Sequence, residues 1–156
     1  MPMRKLAAAA GLAVALAATS AVAGPIEDLD GYWSGGGTVV FSEGKEQVKC
    51  AVRYKVGQGG TQIRQTLRCA SADYSINALA ELQIKGSQVS GSWEEKTYSA
   101  TGLVTGRYTG SSFVLSIEGA NFTAAMNVSV SDCKQSISIA PKGLEVSKIS
   151  IGLGKC

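Results

Sequence analysis

The sequence predicts an all-β fold: an up-and-down antiparallel meander of about ten strands curled into a closed or nearly closed barrel, with a β-sandwich as the alternative. Three observations carry this. Short runs alternating apolar and polar residues recur along the chain after position 30, roughly every 8 to 12 residues. Glycine is abundant, 19 of 156 residues, against three prolines. Helical periodicity is absent beyond the first residues. The one rival, the Ala-rich stretch 77–82, lies inside Tyr74, Ile76, Ala78, Ala80, Leu82 and Ile84, which alternate with period two.

Residues 1–23 read as a Sec signal peptide. Arg4 and Lys5 open it, an uncharged Leu/Ala/Val run occupies 6–18, and Thr19-Ser20-Ala21-Val22-Ala23 offers small residues for cleavage before Gly24. The apolar run is shorter than the roughly 20 residues a spanning helix needs, so no membrane span is expected. A single β-barrel domain, 24–156, remains, in the periplasm or secreted. Losing Arg4 and Lys5 brings the net charge from +3 to +1.

Strands are expected near 31–41, 46–56, 62–69, 74–84, 88–94, 97–108, 113–118, 122–130, 136–140 and 144–153. Turn positions set their register, because a one-residue slip exchanges the two faces of a strand. A turn centred between Gly59 and Gly60 opposes Val56 to Ile63, Val52 to Leu67 and Cys50 to Cys69. Opposed residues have Cβ atoms about 4.5–5.5 Å apart, within adjustment of a disulfide. Cys50–Cys69 is therefore predicted, and Cys133–Cys156 follows by elimination. The turn at Lys85–Gln88 opposes Ile84 to Val89 and Ala80 to Trp93. Later turns are expected to oppose Trp93 to Tyr98, Tyr108 to Phe113 and Ile117 to Phe122. Every pairing keeps the apolar set on one face, and a meander this long must curl to cover that face and its edges.

Several inward positions are small: Ala78, Ala80, Gly91, Ala100, Gly102, Gly106 and Ala124. Either a lumen is left open, or bulky neighbours fill it. Trp33, Trp93, Tyr98, Tyr108, Phe113 and Met126 are the candidate lumen residues for a small apolar ligand.

Histidine is absent. That removes Ser-His-Asp and Cys-His catalysis, His-ligated metals and the usual neutral-pH proton shuttle. The four cysteines form no Cys-x-x-Cys pair, so disulfides are expected rather than a metal or redox centre. Adjacent Glu94 and Glu95 point to opposite sides of a strand and fall at an expected turn, where both read as solvated. Glu27, Asp28 and Asp30 read as a polar leader, too few oxygens for calcium. No catalytic residue, cofactor or metal is expected, and the chain is read as non-enzymatic.

Charge is unevenly distributed. Lys49, Arg53, Lys55, Arg64 and Arg68 occupy outward positions of the 45–69 hairpin, and Lys55 opposes Arg64. With Lys45 and Glu46 the hairpin carries +5, leaving −4 on the rest of the mature chain. This face is the candidate dock for an anionic partner, an envelope component such as lipopolysaccharide phosphate or an acidic protein. An exported compartment disfavours nucleic acid.

Gly31-Tyr32-Trp33 on the first strand resembles the Gly-x-Trp that opens the barrels of calycins, lipocalins among them, and of Inh-type bacterial metalloprotease inhibitors. Lipocalins follow the barrel with a helix and offer the tryptophan an arginine from the last strand; here the chain ends Ile149-Ser150-Ile151-Gly152-Leu153-Gly154-Lys155-Cys156. A resemblance over nearly the whole mature chain rests on Trp33-Ser34-Gly35-Gly36-Gly37, Val48-Lys49-Cys50-Ala51-Val52-Arg53-Tyr54, Leu67-Arg68-Cys69-Ala70-Ser71 and Val89-Ser90-Gly91-Ser92-Trp93-Glu94. It is to a family of small exported alphaproteobacterial proteins without an assigned activity, and it implies an exported β-domain and no catalytic residue. The function expected is a periplasmic binding or envelope-interaction protein. The alternative is a barrel-type protease inhibitor acting through an extended segment, 24–30. An enzyme of unknown type is the third reading.

Overall fold

The computed structural model describes residues 13–17 and 25–156; the expected cleavage site before Gly24 lies outside the described residues. One helical turn, α1 (Pro25–Asp28), precedes ten strands: β1 (Gly31–Phe41), β2 (Gly44–Gly57), β3 (Gln62–Ala70), β4 (Ser75–Lys85), β5 (Gln88–Glu95), β6 (Ala100–Tyr108), β7 (Ser112–Glu118), β8 (Thr123–Ser131), β9 (Lys134–Lys142) and β10 (Val146–Gly154). Each strand pairs antiparallel with the next, and β1 pairs with β10, so the sheet is a closed barrel rather than a sandwich.

Period-two alternation decides which side chains enter. On β2, Val48, Cys50, Val52 and Tyr54 are buried, while Lys49, Arg53 and Lys55 between them are exposed. The turn at 58–60 sets the register expected of it: Val56 opposes Ile63, Val52 opposes Leu67 and Cys50 opposes Cys69. The Cys50–Cys69 disulfide forms there with its Cα atoms 4.1 Å apart. The second disulfide, Cys133–Cys156, fastens the chain end to the β8–β9 turn.

Two expected pairings are corrected. Trp93 opposes Gly102, not Tyr98, because residues 96–99 form a wider loop held by the Glu95 carboxylate. Ile117 opposes Ala124, not Phe122, because the turn closes outside Phe122, with the Gly119 N–H donating to the Phe122 carbonyl at 3.0 Å. Both displacements are even, by four residues and by two. An even slip returns every side chain to its own face, so the apolar set still points inward.

Small inward residues have a cause that differs from lumen width. A Cβ on Gly102 would fall on the Glu118 carbonyl oxygen, and one on Gly91 on the Glu81 carbonyl oxygen. These glycines are required by the close approach of neighbouring backbone where the sheet bends, as at glycine kinks of curved sheets. We expect Gly102→Ala to destabilise the barrel by roughly 1–3 kcal/mol, an overpacking penalty. Gly152→Ala, where nothing lies within 4 Å of the added methyl, serves as the near-neutral control. Urea unfolding of both variants checks this.

Candidate functional site

The barrel has two unlike ends. At one, α1 and Leu29 lie across the opening, and Leu29 is 2% exposed. Several contacts fasten this plug. The Trp33 indole, fully buried, donates from Nε1 to the Leu29 carbonyl at 2.7 Å. The Val56 N–H donates to Asp30 Oδ2 at 2.8 Å. Lys155 Nζ donates to the carbonyls of Asp28 and Asp30 and stands 5.0 Å from the Trp33 ring centroid. An ammonium over an indole face is attracted by the ring quadrupole. Lys155 thus places a cation over the face of the first-strand tryptophan.

Between the plug and the other end lies a cavity of about 300 Å³. Its walls are overwhelmingly apolar. Leu29, Ile63 and Ile151 line its deep part, and Ile76, Ile117 and Leu144 line the part near the other end. Leu144 is 49% exposed, so the cavity opens there. Polar side chains on the walls are few: Tyr54 and Gln65 in the deep half, Tyr74 and Glu95 near the mouth. Neither lysine nor arginine lines it among the described residues.

Glu95 is 8% exposed at the end of β5, which corrects its expected solvated position. Its Oε1 accepts the Asn77 and Thr97 N–H groups at 2.9 Å each, and Oε2 accepts the Tyr98 N–H at 2.8 Å. Burial pushes this carboxyl up, but the backbone N–H groups outweigh it and hold the pKa below the ordinary 4.5. It is an ionised loop-holder with its oxygens occupied, not half of an acid/base pair. Deeper, the Tyr54 hydroxyl is pushed up to about 12 by burial, against the opposing hydrogen bonds of Gln65 and Gln135. It stays protonated at neutral pH.

The six candidate lumen residues separate. Trp93, Phe113 and Met126 line the cavity. Trp33 is packed under the plug instead, and Tyr108 packs at the plugged end, near enough to Glu27 to feel its charge. Tyr98 is corrected outright: it is 63% exposed on the loop that Glu95 holds. It stands near Tyr74, whose hydroxyl is pushed up by burial first and then by Glu46 and Tyr98.

The five cations of the basic face are all exposed on the outer wall of β2 and β3, away from the lumen. Lys55 opposes Arg64 as expected, and Arg64 leans to Glu81 on β4, 3.8 Å away. The segment expected to extend into a protease cleft does not extend over its described part. Residues 25–28 make the helical turn, and Leu29 is buried in the end of the barrel that it plugs. The residues not singled out from the sequence are Tyr54, Gln65, Gln135 and Lys155, while Glu95 is read there only as solvated. The first three carried a signal, since all are polar residues at inward positions of alternating strands.

No family model matches the chain, and no curated protein matches it in sequence. Solved structures share the fold. The structure of Rv2717c from M. tuberculosis superposes with a TM-score of 0.68 at 13% identity, covering 84% of this chain and 94% of that one. A protein of unknown function of the DUF3598 family from Nostoc punctiforme gives a TM-score of 0.60 at 15% identity over 84% of this chain. The match covers 48% of the Nostoc protein's length. These likenesses establish the barrel alone.

Glu95→Gln should cost roughly 2–3 kcal/mol at neutral pH, since an amide cannot accept all three backbone donors and a charged acceptor is lost. A lowered folded-state pKa contributes stability that is complete above the unfolded value and disappears as pH falls through the folded one. The wild-type advantage over Glu95→Gln should therefore shrink as pH drops below 4.5. Urea midpoints of both proteins across an acid pH series measure it.

Proposed function

We propose that this chain is a non-enzymatic binding protein that holds a small apolar ligand in the barrel lumen. The apolar cavity of about 300 Å³, plugged at one end and open at the other, carries this reading. Its volume is at the lower bound of small-molecule sites, which are concave, mostly apolar and largely pre-formed. Barrel diameter grows with strand number, and barrels of about eight strands can already hold one small ligand, so a closed barrel of ten strands has room for such a space. The proposal assigns no catalytic residue, cofactor or metal. Two disulfides suit an oxidising environment, and the leader-like residues 1–23 support a periplasmic or secreted location. The fold is compatible with the calycin resemblance, and membership of the exported alphaproteobacterial family remains part of this proposal.

The test uses the neutral fluorophore N-phenyl-1-naphthylamine. The wild-type protein should enhance its fluorescence saturably. Ala80→Phe places a ring in the cavity and should weaken binding at least tenfold, with a stability change in the roughly 1–3 kcal/mol range of core overpacking. Saturable binding that Ala80→Phe leaves unchanged would place the ligand elsewhere.

A second reading has its own observation. The outer face of β2 and β3 presents five exposed cations, and among the described residues the one ion pair involving them is Arg64–Glu81. We propose this face as the contact with an anionic envelope surface. Cations near such a surface contribute about 1 kcal/mol each. Substituting Arg53, Lys55 and Arg64 with Gln should weaken binding to vesicles containing anionic lipid on the order of a hundredfold at low salt. Unchanged vesicle sedimentation would remove the docking role. No helix among the described residues is long and apolar enough to cross a membrane.

A further inference from the structure

The deep end of the cavity carries a hydrogen-bonding group that a purely apolar ligand leaves unused. The Tyr54 hydroxyl accepts from Gln65 Nε2 at 3.0 Å and donates to Gln135 Oε1 at 3.1 Å. Tyr54 and Gln65 line the cavity; Gln135 lies just outside the lining, the next inward residue of β9 beyond Ile137, toward the plug, and is joined to the lining through the Tyr54 hydroxyl. Gln135 is 3% exposed, and its Nε2 is buried without a hydrogen-bond partner among the described residues. An amide nitrogen left unbonded in such a place is unfavourable, because it has lost its water without gaining a partner. Amide orientation is assigned from the network. Reversing the amide would orphan its oxygen instead and take away the acceptor of the Tyr54 O–H.

Resting on the apolar-ligand reading, the geometry points to a ligand that is a neutral, oxygen-bearing hydrocarbon, a medium-chain ketone, aldehyde or alcohol, whose oxygen pairs with the Gln135 amide while its tail points to the mouth. Three observations converge. The orphaned amide calls for one polar atom at the closed end. The walls above it are apolar, which fits a hydrocarbon tail. No cation lines the cavity among the described residues, and a buried unpaired carboxylate would incur a heavy desolvation penalty. The mouth adds to the last point: Glu95 is on its wall, and Glu43, Glu46, Asp73 and Glu145 line an adjoining surface groove together with Lys45. Tyr54 stays protonated and keeps its O–H for Gln135, so the spare amide hydrogens remain for the ligand.

The experiment is competition against N-phenyl-1-naphthylamine by a methyl ketone, the alkane of matched length and the matched fatty acid at neutral pH, with wild type and Gln135→Leu. The ratio of ketone to alkane affinity should fall about fivefold to tenfold in Gln135→Leu, the loss of one neutral hydrogen bond. The fatty acid should compete at least tenfold less well than the ketone. An unchanged ratio, or a fatty acid equal to the ketone, overturns the proposal while the apolar-ligand reading stands. If none of the three competes, both fall. Should Gln135→Leu not fold, side-chain amide NMR of the wild-type protein decides. The Gln135 NH₂ signals must shift on adding the ketone and not the alkane; equal response to both overturns the assignment.

Discussion

The seam between β1 and β10 is the contact on which the rest of the molecule depends. Until it forms, a ten-strand meander has two bare edges and an apolar face open to water, both of which invite association with other chains. Closing it removes the edges and turns the inward face into a shared core. The seam runs through Gly35, Gly36 and Gly37, which oppose Leu153, Gly152 and Ile151. A Cβ on Gly35 or Gly37 would fall on the carbonyl oxygens of Gly152 and Ser150. The glycine run beside Trp33 is therefore a closure device, allowing the first and last strands to approach at the angle the barrel needs. Trp33 follows from the same seam: it is the bulky residue that fills the core next to a stretch with no side chains.

Much of this was legible because parity is a global constraint. One turn at 59–60 fixes the faces of two strands, and every later turn must agree with it or bury the wrong side chains. That is why Cys50–Cys69 followed from spacing, and why the misjudged pairs Trp93–Tyr98 and Ile117–Phe122 were displaced by even steps. What parity cannot reveal is how far along the strand a loop begins. The Glu95 carboxylate gathers backbone donors from Asn77 on one neighbouring strand and from Thr97 and Tyr98 in the loop. Such a contact is set by three dimensions, and no alternation pattern encodes it. Lys155 was hidden for the same reason, since its acceptors lie more than a hundred residues away at Asp28 and Asp30. The aromatic residues misled in a simpler way. They were sorted by size and face, but whether an inward or near-inward ring lies under the plug, in the lumen or on the rim depends on its height along the barrel.

The two ends divide two kinds of work. The plugged end is over-fastened: indole, carboxylate, ammonium and a disulfide all converge on Leu29, Asp30 and the chain terminus. The mouth is rimmed by partly exposed apolar residues, with the Glu95 carboxylate holding the β5–β6 loop and the Ser71 hydroxyl holding the β3–β4 turn. On the proposed binding reading, a ligand would exchange through the mouth and be recognised toward the plug. The five cations of the basic face stand on the outer wall of β2 and β3, with acids towards both ends of the barrel, Glu27, Asp28 and Asp30 at the plug and Glu43, Glu46, Asp73 and Glu145 beside the mouth, so an anionic surface would meet the wall of the barrel.

The barrel alone does not choose a ligand, because folds host many unrelated sites. Rv2717c and the Nostoc protein share the architecture at 13% and 15% identity. At that distance the shared features are those closure demands, alternation and curvature, and the inward residues are free to differ. Selectivity must then come from the few inward positions that break the apolar pattern. In this chain those in the deep half are Tyr54 and Gln65 on the lumen wall and Gln135 one layer beneath the lining, linked by hydrogen bonds. A core needing only stability is better served by apolar residues than by a polar network with one unsatisfied member. An incompletely satisfied network at the closed end of an accessible cavity is therefore better explained as one that a ligand completes than as one that packing requires.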